Sequence, residues 1–569
     1  MRKLLVFALI FSALQMRSQD DTTIVEIDPV VTRYFRVSGL PFAGYSERAA
    51  ILGAPYLDHP SIIGGPSQVY YTVCEIDTSA SWYYRKTFYD PLFVLTGDDS
   101  TTYYRIEANP FFQTTAGVEL DASSSNRTLY ENERGAFIRG QIGRQLFFNT
   151  TIMESQTVTT RYMDSYIENR EVVPGQGIAR RFGTNGWDHR WASGNISYTP
   201  SQYFNFSLGQ GRFFYGNGYR SLFLSDNSLN YPYFRIESTF GPVKYVNLWT
   251  QMYDIRNSVM AGDGNRKKWL STHYLSWNVT DRLNISFFES VMSGSDTNNT
   301  GFDVSYLNPI IFYRPIEDQI GSRLGNAVLG IGGSYDILKQ VRKPNRLDDV
   351  YRLRAYGQFV LDEFNVAALR DNSGSWLNKF GYQLGVRYSH VIERYNGDMI
   401  GISLLAEYNH VRPFTYTHRE TLTNYAHYSQ PLAHPLGTDF KEWVFRAQAT
   451  YNRWMLTLHY SVAERGVSEI INGEYFGQGS DLWVTYNNRS RDEGYYAGGS
   501  PSVMINNFRV EAFYEFNPSW KMGLFASLGY RSGPMYPLVT EDVNPLQTSD
   551  SWWINFGLRT DLFRSFSDI

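Results

Sequence analysis

One cysteine, Cys74, stands in 569 residues, so no intramolecular disulfide framework can hold this chain together. Long apolar runs are scarce as well. The run from Leu4 to Leu14 falls short of the about 20 apolar residues that a spanning helix needs. No large excess of charge of either sign is present, and a net charge of -4 gives no reason to expect nucleic acid as a partner. Neither G-x-S-x-G nor H-E-x-x-H occurs. The acidic pair Asp348–Asp349 lies in a turn away from any histidine. The best base-and-hydroxyl pair, His459 with Thr457, reads better as two wall residues of one strand. The expectation is therefore a protein without enzymatic activity, cofactor or bound metal.

The apolar run near the start belongs to a different pattern. Arg2 and Lys3 precede it and a polar junction follows near Gln19, which is the layout of a secretory signal over 1–19. No cysteine follows, so a lipid-modified N-terminal cysteine is not expected. An exported chain without disulfides has to rely on a large core or a closed sheet.

Aromatic side chains are abundant: 43 Tyr, 37 Phe and 13 Trp make 16% of the chain, yet mean hydropathy is -0.36. The two figures reconcile when apolar and polar residues alternate. In "SWWINFGLRTDLF" the positions of Trp552, Ile554, Phe556 and Leu558 share one face, opposite Asn555, Arg559 and Asp561. "RWMLTLHYSV" sets Trp454, Leu456, Leu458, Tyr460 and Val462 against Arg453, Thr457 and His459. "NFRVEAFYEF", "WKMGLFASLGYR" and "FGYQLGVRYS" repeat the scheme, with aromatics often at the ends of the apolar face. Either a soluble sandwich or a membrane barrel could want such faces. Gap lengths discriminate between them. Tight turns such as "NPS" after Phe516 alternate with long gaps near 154–188, 212–231, 293–327, 409–441, 464–503 and 531–550. Short turns at one end and long loops at the other are the layout of an outer-membrane barrel.

The predicted fold is thus all-β: a transmembrane antiparallel outer-membrane β-barrel of about 18 strands over 111–569, counted from Phe112 to Phe563. Residues 20–110 are expected to form a small periplasmic or plug segment, which would include the extended "TYYRIEAN". Within it, Tyr84, Phe88 and Leu92 at spacing four, with Ser79 or Ser81 as cap and Pro91 as stop, predict a short helix.

Several stretches resemble a known family. "SWYYRKTFYDPLFVL", "YYRIEANPFFQTTAGVEL", "GNGYRSLFLSDNSLNYPYFRIE", "YLNPIIFYRPIEDQIGSRLGNAVLG" and "NHVRPFTYTHRETLTNYAHYSQPLAHPLG" look, in that order, like the gliding-motility protein RemB of Bacteroidetes. That family is similar to the capsule-assembly protein Wzi. The resemblance implies an 18-stranded outer-membrane barrel that binds surface polysaccharide like a lectin, or serves surface motility. The expected partners are outer-membrane lipid and either surface polysaccharide or cell-surface secretion and motility proteins. The alternatives are a porin-like diffusion channel, or an accessory component of a surface secretion machinery.

Candidate ligand-binding residues fall in the long gaps: Arg220, Asp226, Tyr231 and Tyr233 in one, Arg412 and His434 in another. Aromatic faces suit sugar rings and planar polar groups suit hydroxyls; the alternative is that Arg220 and Asp226 pair to hold a loop against the barrel mouth. "NPIIFYRPIED" is expected to fold into the lumen as a constriction, with Arg314 and Glu317 meeting wall charges. His410, His418, His427 and His434 are spaced eight, nine and seven apart, which matches no familiar ligand pattern. The parity of turns and gaps makes a topology prediction. Protease added to intact cells should cut within 464–503 or 409–441 and never at 517–519, and a tag at Asn517 should be detected only after permeabilisation.

Overall fold

A computed structural model describes residues 81–99, 102–121, 125–143, 145–201, 203–256, 265–294, 302–310, 312–320, 325–340, 350–393, 399–471, 474–499, 501–517, 519, 521–541, 546–560 and 568, with two short strands at 34–37 and 69–72. The expected signal over 1–19 and its junction at Gln19 lie outside these residues.

Eighteen antiparallel strands close into a barrel. In chain order they are β1 Thr102–Asp121, β2 Arg127–Ile142, β3 Leu146–Val158, β4 Gly186–Ser201, β5 Phe204–Gly211 and β6 Tyr231–Phe240. They continue as β7 Val243–Asp254, β8 Arg266–Asn278, β9 Leu283–Gly294, β10 Gly325–Gln340, β11 Val350–Glu363 and β12 Lys379–Glu393. The last six are β13 Met399–Val411, β14 Phe440–Tyr451, β15 Trp454–Gly466, β16 Ser502–Asn517, β17 Met522–Pro534 and β18 Thr548–Thr560. Each pairs with its chain neighbours, and β18 closes on β1 from Ser551↔Asp121 to Arg559↔Gln113. Among the described residues no helix is long and apolar enough to cross a membrane.

Side-chain alternation sets the two faces. On β15, Trp454, Leu456, Leu458 and Tyr460 are exposed, while Met455, Thr457, His459 and Ser461 are buried toward the lumen. On β18, Trp552, Ile554 and Phe556 point out and Trp553 points in. A wall this apolar needs lipid around it, and the chain is therefore a transmembrane β-barrel of the outer-membrane type. Aromatic residues ring its rims. Trp443 stacks beside Tyr408 near the upper rim and Trp454 beside Tyr514 near the lower one, with centroids 4.8 and 4.7 Å apart. Tight lower turns use left-handed backbone, as at Gly241 (φ 55°) and Asn452 (φ 50°), the conformation that two-residue hairpins require.

The first strand departs from expectation. "TYYRIEAN" is not separate from the barrel but forms the lower half of β1, so the expected boundary at 110/111 falls inside one strand. The reason is register. β18 stops at Arg559↔Gln113, and β1 continues below it, still paired with β2 down to Tyr104↔Ile142. The strand Phe93–Asp99 takes over the edge that β18 leaves, from Phe93↔Ala108 to Asp99↔Thr102. The expected helix is present as α1 Trp82–Phe88, with the Ser81 hydroxyl accepting from the Tyr84 amide. It docks on the turn after β16, where Asn517 Nδ2 donates to the carbonyls of Lys86 and Thr87 at 2.9 and 3.1 Å.

Lipid-facing positions should not tolerate charge. Leu458→Arg, in the middle of an outward face, is expected to cost about 2–4 kcal/mol, whereas Asn487→Arg in an exposed upper loop should cost little. Heat-modifiable electrophoretic mobility of the two variants checks the assignment.

Candidate functional site

The lumen is filled rather than open. On β7 to β11 the inward set includes Val246, Leu248, Met252, Leu270, Tyr274, Phe288, Met292, Val328 and Val360, all buried in one apolar cluster. The loop 212–230 between β5 and β6 turns inward and supplies Phe213, Tyr215, Leu222, Phe223 and Leu224 to that cluster. Phe223 stacks on Phe288 at 4.9 Å and Tyr215 on Tyr274 at 4.8 Å. The loop 412–439 between β13 and β14 covers it from above. Tyr416 donates its hydroxyl to the Leu222 carbonyl (2.7 Å), and Asn227 Nδ2 donates to the Ala433 carbonyl (2.6 Å).

Arg220 fixes the inner loop to the wall. Its Nη2 lies 3.0 Å from Glu442 Oε1 and 3.1 Å from an Asp568 carboxylate oxygen, all three side chains being buried. Glu407 accepts from the amides of Tyr219 (2.8 Å) and Arg220 (3.0 Å) and from the Tyr356 hydroxyl (2.8 Å). Backbone approaches carboxylate closely here: a Cβ on Gly218 would stand 2.2 Å from Glu407 Oε2, so only glycine fits. His434 Nε2 donates to Glu442 Oε2 at 2.7 Å while its Nδ1 accepts from the Leu436 amide at 3.2 Å. Burial holds the His434 imidazole below its usual range although Glu442 works against this, and the two bonds match the neutral ring.

The expected ligand residues are thus brought inside rather than displayed. Arg220 and His434 meet on the shared partner Glu442. Asp226 is buried in the inner loop, Tyr231 accepts from the Phe213 amide, and Tyr233 packs edge-on against Phe213 at 4.7 Å. Arg412 donates to the carbonyls of Asn378 (2.7 Å), Tyr495 (3.0 Å) and Ser375 (3.2 Å), tying loops together. Of the two loops expected to be open to protease, 412–439 is largely buried, and exposed chain lies around Asn487 and Ser490. The histidines are dispersed: His410 stacks on Tyr382, His418 contacts Thr423, and His427 accepts from the Tyr253 amide. Among the described residues no group of three His, Cys, Asp or Glu side chains is placed to hold a metal.

"NPIIFYRPIED" does not enter the lumen, which corrects the expected constriction. Its helix α2, Tyr313–Ile320, rests on the outward side of β9 and β10, where Tyr313 clusters with Val291 and Ala327. Arg314 is exposed, its amide donating to Glu289 Oε1 at 3.1 Å, and the Glu317 side chain lies outside the described residues. The lumen was already occupied by loops, and the apolar residues of this segment found their solvent on the other side of the wall.

A cavity of about 350 Å³ opens among the upper loops, within the range of about 300–1,000 Å³ usual for small-ligand sites. Arg170, Arg256 and Arg465 line it, together with Glu171 and Asp481. Arg170 ends the helix Arg161–Arg170 and lies over the rings of Trp483 (4.8 Å) and Tyr536 (5.8 Å). Arg465 donates Nη1 to the Tyr536 hydroxyl (3.1 Å), and its Nε has no partner among the described residues. Arg256 is committed to Asp254 and to the carbonyls of Trp483 and Thr421. Next to Gly466, which lines the cavity, Asp439 accepts from the Gly498 amide at 2.9 Å, and burial pushes its carboxyl up to about 7. Sequence reasoning passed over these arginines because they come from three separate stretches of the chain and share no motif.

No protein-family model and no curated protein matches the chain. Among solved structures it is similar to Wzi of Escherichia coli, an outer-membrane protein involved in group 1 capsule assembly and described as a carbohydrate-binding β-barrel. The identity is 13%, over 79% of this chain and 84% of that one, with a TM-score of 0.45. It is also similar to OccAB1 of Acinetobacter baumannii (9% identity, 79% and 95% covered, TM-score 0.40). A third likeness is to OprD of Pseudomonas aeruginosa (9% identity, 82% and 99% covered, TM-score 0.37). At such scores these likenesses carry nothing about this chain's own ligand or conductance.

Removing the central cation should be costly. Arg220→Ala leaves Glu442 and Asp568 buried without their counter-charge and is expected to destabilise the barrel by about 3–5 kcal/mol. Arg220→Ala combined with Glu442→Gln should recover part of the loss. Thermal unfolding in detergent, followed by heat-modifiable mobility, measures both.

Proposed function

We propose that the protein is a closed, non-enzymatic outer-membrane scaffold whose upper loops bind a surface polysaccharide carrying acidic sugars, for capsule attachment or gliding. The observation that carries this reading is Arg170. Half-buried on Trp483 and facing the cavity, its guanidinium makes no hydrogen bond or ion pair among the described residues. A guanidinium held on an aromatic platform, with a second arginine lining the same cavity, is suited to a carboxylate on a sugar ring. Trp483 and Tyr536 supply flat apolar faces for the ring itself.

The channel reading fares less well against the packing. Arg220 and its partners help fill the lumen, and several luminal charges are paired, as in Arg559–Glu511 at 2.6 Å and Lys521–Glu515 at 3.4 Å. Oppositely charged side chains in contact leave neither sign free to select an ion.

Purified protein should retain uronate-containing polysaccharide and ignore neutral dextran. Arg170→Ala should weaken retention about tenfold or more while leaving heat-modifiable mobility intact. Planar bilayers should show no stable open conductance. A wild-type protein that conducts steadily and retains no acidic glycan would reverse the assignment in favour of a diffusion channel.

A further inference from the structure

The outward face of β7, β8 and β9 carries polar residues where lipid-facing ones belong. Asn247, His273 and Glu289 lie in one row across the three strands, through the pairs Asn247↔His273 and His273↔Glu289. Their phase is the outward one. Glu289 alternates with inward Phe288 and Ser290 and shares its side with Phe287 and Val291; His273 shares its side with Trp269 and Trp277. Trp269 and Trp277 mark the upper and lower parts of β8, and His273 stands four residues from each, at mid-height of the band. All three polar side chains are nevertheless buried.

Over His273 and Glu289 lies the chain at 302–310 and 312–316, from the upper loop between β9 and β10. It descends along the outside of the barrel. Phe302 meets Trp269 at 6.4 Å near the upper end of β8, Trp249 Nε1 donates to the Tyr306 carbonyl at 2.7 Å, and Tyr313 stacks on His273 at 4.0 Å. The Arg314 amide meets Glu289, as described above. Tyr306 and Tyr313 thus face the wall, while the Arg314 side chain is exposed at the edge. The outer side carries uncovered apolar residues: Val304 is 73% exposed, Ile310 81% and Phe312 68%.

We infer that residues 302–310 and 312–316 form a clasp embedded in the outer leaflet, with Ile310 and Phe312 packed among acyl chains and His273 and Glu289 sealed beneath it. Its depth is what selects lipid as the occupant. The contact with His273 lies midway between two outward-facing tryptophans of one strand, where bare wall on neighbouring strands already meets hydrocarbon. Backbone polar groups at that depth need protein partners, and Tyr306 and Arg314 find theirs on the wall.

Replacing the lone cysteine by Cys74→Ser gives a background for single-cysteine labelling. Ile310→Cys and Phe312→Cys, both at exposed positions, would carry an environment-sensitive dye in proteoliposomes. Ile554→Cys on the bare wall and Asn487→Cys on an upper loop serve as references. The expected result is that dyes at 310 and 312 behave like the dye at 554. They should be quenched several-fold more by acyl-chain-attached doxyl lipid than by iodide, while 487 shows the reverse. Iodide quenching at 310 and 312 equal to that at 487 would place the segment in water and overturn the inference. Protection from both quenchers, with cross-linking between barrels, would show a second copy covering the clasp and would overturn it equally. Neither outcome bears on glycan binding at Arg170.

Discussion

A single buried guanidinium organises the interior of this barrel. Arg220 sits at the tip of a loop that enters the lumen from above, and it meets Glu442 on the wall and Asp568 from the end of the described chain. None of these charges could be buried alone, because the loss of hydration would exceed any single contact. Together with the amides that Glu407 accepts, they fix where the loop stops. Once that position is set, Leu222, Phe223 and Leu224 lie against the apolar inner wall, and the loop 412–439 has a surface to close over. The plug and the cap above it both follow from one charge being placed.

The filled lumen changes what the outer surfaces are for. Side chains that look like ligand contacts in an open-mouthed barrel become struts, as Arg412 does when it holds three carbonyls. The site proposed for glycan binding lies at the crowns of the loops, where Arg170 rests on Trp483. The chain at 302–310 and 312–316 is displaced in the other direction, onto the outer side of the wall, where it covers His273 and Glu289. Loops of one barrel thus serve three surroundings: the lumen, the water above and the bilayer beside it.

Much of the wall was legible in the chain itself. The period-two alternation in β15 and β18 gave their outward faces, and the order of short turns and long gaps gave the strand number. Luminal pairing of Arg559 with Glu511 was legible too, since both occupy the polar phase of their strands. Two clues were present but went unread. β7 and β8 place Val246, Leu248, Met252, Leu270 and Tyr274 in the inward phase, which marks a packed lumen, and Glu289 stands in the apolar phase of its strand, which marks a covered patch on the outside.

The sequence by itself determined the barrel, because alternation and turn chemistry are local and each strand carries them independently. It could not determine where the loops would go. Whether Arg220 faces a sugar or Glu442, or whether Tyr313 lies inside the wall or against His273 outside it, depends on residues far away in the chain. Such choices are settled by desolvation and packing, which exist only once the walls have closed and the partners stand within a few ångströms of one another.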